Sequence, residues 1–160
     1  MGQNTNSWSF IVSCCLVSAF IFTLARPCSA AEDVLYAGSK ACSQCHEKQY
    51  ENFSKYSKKA HAWDSIAIMK PKLKEQELKQ CYECHTTGYG RKGGFVSKEA
   101  TPHLADVGCE SCHGPGGEHA VSGDPAQIKR RPAVETCTAC HNPQRVEDFN
   151  FKPLLFSGAH

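Results

Sequence analysis

No apolar run in the 160-residue sequence reaches the ~20 residues needed to cross a bilayer. The longest, FIVSCCLVSAFIFTL, covers only residues 10–24. No charge sign dominates: 18 Lys and Arg stand against 16 Asp and Glu, which excludes the strongly basic balance of a nucleic-acid binder. Methionine is almost missing, with Met1 and Met69 alone. No Lys or Arg precedes the apolar run, so the positive start of a usual export leader is absent.

The residues after that run nevertheless read as the end of an export signal. Arg26-Pro27 leads into the small residues Cys28-Ser29-Ala30-Ala31, which predicts a signal peptide over residues 1–30, cleaved after Ala30 or Ala31. Residues 31–160 are then one domain, with no transmembrane segment in the mature chain. Cleavage removes Cys14, Cys15 and Cys28 from the 11 cysteines, and none of the remainder is stray.

They form four identical patterns: Cys42-Ser-Gln-Cys45-His46, Cys81-Tyr-Glu-Cys84-His85, Cys109-Glu-Ser-Cys112-His113 and Cys137-Thr-Ala-Cys140-His141. Paired cysteines in an exported chain could make disulfides, and CxxC pairs could hold zinc. Neither chemistry asks for the histidine. With 8 histidines in 160 residues, chance places one after all four pairs on the order of once in 10⁵. Covalent c-type haem attachment does ask for it: two thiols add across the two vinyl groups of one porphyrin, and the adjacent imidazole becomes the proximal iron ligand. The expectation is four c-type haems with thioethers at the eight cysteines and proximal ligands His46, His85, His113 and His141.

Four irons each leave one axial position, and four histidines remain: His61, His103, His119 and His160. Met69 could serve one iron at most. A lone histidine is usually a solvated side chain, and a terminal one such as His160 usually frays; four matching four vacancies points to bis-histidine ligation throughout. His119 is delivered by the bendable turn Gly114-Pro115-Gly116-Gly117.

About 130 residues over four haems is ~32 residues each, too few for a conventional apolar core. The porphyrins then make up most of the core, and the fold is mainly α with extensive coil and one small β hairpin. Residues 47–63 place Tyr50, Phe53, Tyr56 and Ala60 on one helical face. Residues 72–79 read as a solvated helix, and residues 104–113 and 132–141 as short helices ending in haem motifs. Glycine-centred residues 89–96 read as a hairpin or tight loop, and the chain after Asn142 as extended to a last turn near Leu154. Motif starts are spaced 39, 28 and 28 residues apart, too irregular for a solenoid. Without Arg26 the mature net charge is +1; eight propionates and four ferric cores bring it to about −3. Lys55 to Lys59 and Lys129-Arg130-Arg131 are therefore solvated faces or propionate partners.

Several stretches carry a family likeness: Gly38-Ser39-Lys40, His61-Ala62, Thr87-Gly88-Tyr89-Gly90, Lys92-Gly93-Gly94-Phe95, residues 107–116 (VGCESCHGPG) and residues 149–160. On these the chain resembles the tetrahaem c-type cytochrome family typified by the electron acceptor of hydroxylamine oxidoreductase in ammonia-oxidising bacteria. The resemblance implies a helix-and-coil fold with haems in closely stacked pairs, and distal ligands at His61, His119 and His160. It also implies an open iron at the second motif, where this sequence departs by offering Thr101-Pro102-His103.

The function expected is electron transfer between redox protein partners in anaerobic or nitrogen- and metal-based respiration, with no substrate chemistry, in the periplasm or at the outer surface. One alternative is a reductase of nitric oxide or hydroxylamine at an open second haem. Another is a subunit of a conductive filament, in which a histidine such as His160 ligates a neighbouring chain's haem.

Overall fold

The chain divides into residues 1–31 and residues 32–160. The computed structural model describes residues 35–146 and His160; the expected signal peptide and the expected turn near Leu154 lie outside the described residues. Seven short α-helices occur among them, α1 Ser39–Cys42, α2 Glu47–Tyr56, α3 Ala62–Met69, α4 Glu75–His85, α5 Cys109–His113, α6 Gly117–Ser122 and α7 Val134–Thr138. Single 3₁₀ turns at Lys58–His61, Lys70–Lys72, Pro102–Leu104 and Pro125–Gln127 join several of them.

The helix expected over residues 47–63 breaks at Ser57. That residue is extended (φ −90°, ψ 122°), and its hydroxyl accepts from the Lys59 N–H at 3.3 Å. A serine hydroxyl competes with the helical ladder for backbone donors and restarts the chain as a cap. The break divides the aromatic stripe: Tyr50 and Phe53 are half-buried, whereas Tyr56 is 68% exposed with Lys55 over its ring. The solvated helix begins later than expected, at Glu75, and runs on into the second motif. Glu77 accepts the Lys74 N–H at 2.8 Å, satisfying one of the unpaired donors at the helix start. The two other expected helices shrink to α5 and α7, the first because Gly108 is extended (ψ −175°) and gives its N–H to the Thr87 hydroxyl at 2.8 Å.

The expected β hairpin is not formed; no strand occurs among the described residues. Gly88, Gly90 and Gly93 all take positive φ, between 72° and 74°. The chain therefore turns repeatedly instead of laying down two extended arms. The Phe95 N–H closes this loop on the Thr87 carbonyl at 2.9 Å. Gly94 crosses Gly88 so closely that a Cβ would overlap the Gly88 carbonyl. Two backbone segments cannot both yield, so Gly94→Ala is expected to abolish recovery of folded, haem-loaded protein, at a cost above ~4 kcal/mol; wild-type yield and melting temperature would contradict this.

Conventional core is scarce. Tyr36, Phe95, Leu104 and Ala105 are buried together, flanked by Leu35, Trp63, Tyr82 and Tyr89. Tyr82 sits edge-on to Phe95 at 5.1 Å and to Tyr89 at 5.3 Å, the offset geometry aromatic quadrupoles favour. Thr87 fastens this cluster to the third motif: its hydroxyl donates to the Asp106 carbonyl at 2.6 Å while its N–H reaches the Leu104 carbonyl at 2.9 Å. Asp106 in turn accepts the Trp63 N–H at 2.8 Å. Tyr82 of α4 and Gly108, the residue before α5, tie the second and third motifs to this small hub.

Candidate haem-binding site

In a CxxCH segment the two cysteines lie three residues apart and the histidine four beyond the first, so one helical turn puts all three on one face. The chain takes that turn at its first and fourth motifs, where His46 and His141 give their N–H groups to the Cys42 and Cys137 carbonyls, both at 2.9 Å. The second motif ends α4, and the third is α5 itself. All eight cysteines are free of disulfides. Among the described residues no three of His, Cys, Asp and Glu gather into a metal cage, unlike the closed ligand sets of structural zinc.

Sulfurs of different motifs are neighbours. A hydrogen bond joins Cys42 to Cys109; it pushes the Cys42 thiol up and holds Cys109 down at about 6. Burial, then a hydrogen bond with Cys84, pushes Cys140 up to about 12. Burial also raises Cys112, and the electrostatic influence of Cys137 adds to it. These interactions link the first motif with the third, the third with the fourth and the fourth with the second. A thioether sulfur does not titrate, so these thiol shifts belong to the chain before attachment.

The histidines carry the sharper signal. His46 and His119 have ring centres 6.3 Å apart and planes 27° from parallel. His113 and His160 have centres 5.9 Å apart and planes 30° from parallel. Two imidazoles bound from opposite sides of one metal by bonds of ~2.0–2.1 Å, each ring centre about 1.1 Å behind its nitrogen, have centres about 6 Å apart. Both pairs stand at that spacing.

The nitrogens are prepared as well. Nδ1 of His113 faces the Lys129 carbonyl at 2.7 Å, Nδ1 of His119 the Asp124 carbonyl at 2.9 Å and Nδ1 of His85 the Ala62 carbonyl at 3.2 Å. A carbonyl accepts only, so in each ring Nδ1 carries the proton and Nε2 keeps its lone pair. That is the tautomer and outer contact of a metal-bound histidine. For His141, burial and then the Lys59 cation hold the imidazole low, in the neutral form that binds metal. The residues present fit four c-type haems.

The other two expected distal residues are placed differently. His61 follows Lys59 by two residues, and Lys59 acts electrostatically on His141 and Cys112 of the fourth and third motifs. Its Nε2 meets the Ser54 carbonyl at 2.8 Å, which leaves Nδ1 as its lone-pair nitrogen. His103 lies against Gly38, ahead of the first motif, where a Cβ on Gly38 would come within 3.1 Å of its ring. No ring contact among the described residues joins it to His85. With Tyr50, Phe53 and Ala60 it lines a cavity of about 280 Å³.

Sequence reasoning missed the carbonyls of Ala62, Asp124 and Lys129, because backbone acceptors carry no residue signature. It also missed the buried side-chain oxygen of Asn142, directly after His141, which has no hydrogen-bond partner among the described residues.

Residues 41–114 match the family described as cytochrome c554 and c-prime. Among curated proteins the chain is 34% identical over 163 aligned positions to cytochrome c-554 of Nitrosomonas europaea, covering 82% of this chain and 68% of that protein. Among solved structures it is similar to the reduced state of cytochrome c554 from Nitrosomonas europaea, with a TM-score of 0.59 and 27% identity, over 80% of this chain and 86% of that one.

Proposed function

Because the chain belongs to the cytochrome c554 family of multihaem, mainly helical c-type cytochromes, with four c-type haems as its cofactors, we propose that it is an exported electron carrier working between redox protein partners in the periplasm. One observation carries this reading: two imidazole pairs, His46 with His119 and His113 with His160, at the spacing of axial ligands shared by one iron. A bound haem iron supplies one-electron redox chemistry, and an iron closed by two imidazoles has no position for a substrate.

In this reading Cys42 and Cys45 hold the first haem, Cys81 and Cys84 the second, Cys109 and Cys112 the third, and Cys137 and Cys140 the fourth. His61 completes the fourth site opposite His141, a pairing supported by the closeness of Lys59 to His141. His103 is the ligand available to the second site opposite His85. The 5.9 Å separation of His160 from His113 supports ligation within one chain over a filament that borrows His160 from a neighbour. In the series of interacting motif sulfurs the first and second motifs stand at the two ends, and these are the proposed points of exchange with donor and acceptor.

The placement of His103 against Gly38 favours a second reading for one site only: an open second iron that binds a small ligand such as nitric oxide or hydroxylamine. The two readings differ in spectrum. Full reduction is expected to take four electrons per chain, the ferric protein is expected to be wholly low-spin, and the reduced protein is expected to be inert to carbon monoxide. His103→Ala is then expected to turn one haem of four high-spin and let it bind carbon monoxide. A wild-type protein that binds carbon monoxide at one haem, with a spectrum that His103→Ala leaves unchanged, establishes the open site and removes His103 from the ligands.

A further inference from the structure

We infer that Glu110 is a positioning residue for the first haem, fastening both of its ligand-bearing segments to the third motif, and that its buried charge holds that haem's potential low. This rests on the proposed pairing of His46 with His119 at one iron. Glu110 lies between Cys109 and Cys112 in α5, and only 3% of it is exposed. One carboxylate oxygen accepts the Ala37 N–H at 2.9 Å and the Gly116 N–H at 2.7 Å; the other accepts the Gly38 N–H at 2.8 Å.

The donors explain what the side chain does. Ala37 and Gly38 lead directly into α1, which ends at Cys42 of the first motif. Gly116 is the residue before α6, which carries His119. One carboxylate thus ties the thioether segment and the distal-ligand helix of the same site to α5, although those segments are far apart in the sequence. The fit is close: a Cβ on Gly116 would come within 3.3 Å of the carboxylate and 3.2 Å of Ile128. Three charge-assisted hydrogen bonds from backbone donors are short and directional, so α1 and α6 have little freedom to move apart.

The same carboxylate takes its recorded partners from backbone N–H groups and not from a cation. No Lys, Arg or His lies in ion-pair contact with it among the described residues, where the one ion pair joins Lys79 to Glu75. Its charge is felt at Cys42, whose thiol it helps to raise. A ferric porphyrin core bears one positive charge and a ferrous core none, so a fixed buried anion favours the oxidised state and lowers the potential, more strongly where water does not screen it. A substitution that keeps the packing and removes the charge isolates the electrostatic effect, which makes the potential the discriminating readout.

The test is a potentiometric titration of the four-haem protein followed by electron paramagnetic resonance, with the first haem's signal identified as the one lost in His119→Ala. Glu110→Gln keeps the shape and removes the charge. It is expected to shift that signal's midpoint upward and to alter its low-spin line shape, with the second haem unmoved. A first-haem midpoint equal to wild type overturns the inference. If His119→Ala itself leaves every signal intact, the ligand reading fails instead, and the two failures are separable. Should Glu110→Gln not assemble, hydrogen exchange on the unmodified protein decides: the amides of Ala37, Gly38 and Gly116 are expected among the slowest, and rapid exchange at them overturns the positioning role.

Discussion

Produced in a host that cannot attach haem, residues 32–160 are expected to give the far-ultraviolet circular dichroism of a largely unfolded chain and no cooperative melt. The longest helix among the described residues, α4, has 11 residues, and isolated helices below ~12–15 residues are marginal in water. Tertiary packing would have to stabilise them, yet among the described residues the buried hydrophobic side chains are Tyr36, Ala62, Ile66, Leu78, Phe95, Leu104 and Ala105. Two of these are alanines, which bury little area each. Meanwhile Ile68 is 73% exposed and Val121 91%. Such a core does not offset the conformational entropy of ordering more than a hundred residues. The missing free energy comes from the thioethers and the iron–imidazole bonds, as it does in metal-dependent small domains. A haem-free chain with native helicity and a sharp melt would contradict this.

His160→Ala and His119→Ala are each expected to turn one iron of four from low-spin to high-spin, and the double variant two. The reason lies in the outer nitrogens of the rings. The carbonyls of Asp124 and Lys129 hold Nδ1 of His119 and His113 as N–H donors, so Nε2 of each is the nitrogen available to an iron, and turning the ring away would give up that hydrogen bond. Outer contacts of this kind typically change metal affinity 10–100-fold when lost. Removing the imidazole itself removes the ligand and has the larger effect. The variants should keep four haems, because thioethers do not depend on the distal ligand. Electron paramagnetic resonance of the oxidised protein reads the outcome directly, and an unchanged spectrum in either variant contradicts that pairing.

The chemistry was legible in the sequence because it is written in residue types at fixed local spacing. Cysteine, cysteine and histidine within five residues make a helical face whatever the surroundings, and the glycines before His119 announce the turn that carries it. The scarcity of core was legible from length alone. The break at Ser57 was not, since an inward-facing stripe at Tyr50, Phe53 and Tyr56 outweighs one hydroxyl in any pattern count. The loop over residues 89–96 was ambiguous between hairpin and turn because glycine serves both; three positive φ values decide it. The role of Glu110 was hidden by sequence distance: its partners Ala37 and Gly38 lie 73 and 72 residues away and are backbone amides, which every residue but proline possesses. The links between motifs were hidden for the same reason, because they join sulfurs distant in the sequence.

The central claim is that every cysteine beyond residue 31 ends in a thioether to one of four haems. The intact mass of the purified protein, taken under denaturing conditions after treatment with a thiol-alkylating reagent, tests it most directly. The mass expected is that of the cleaved polypeptide plus four haems, with no alkyl group added. Fewer haems, or any alkylated cysteine among the eight, would contradict it.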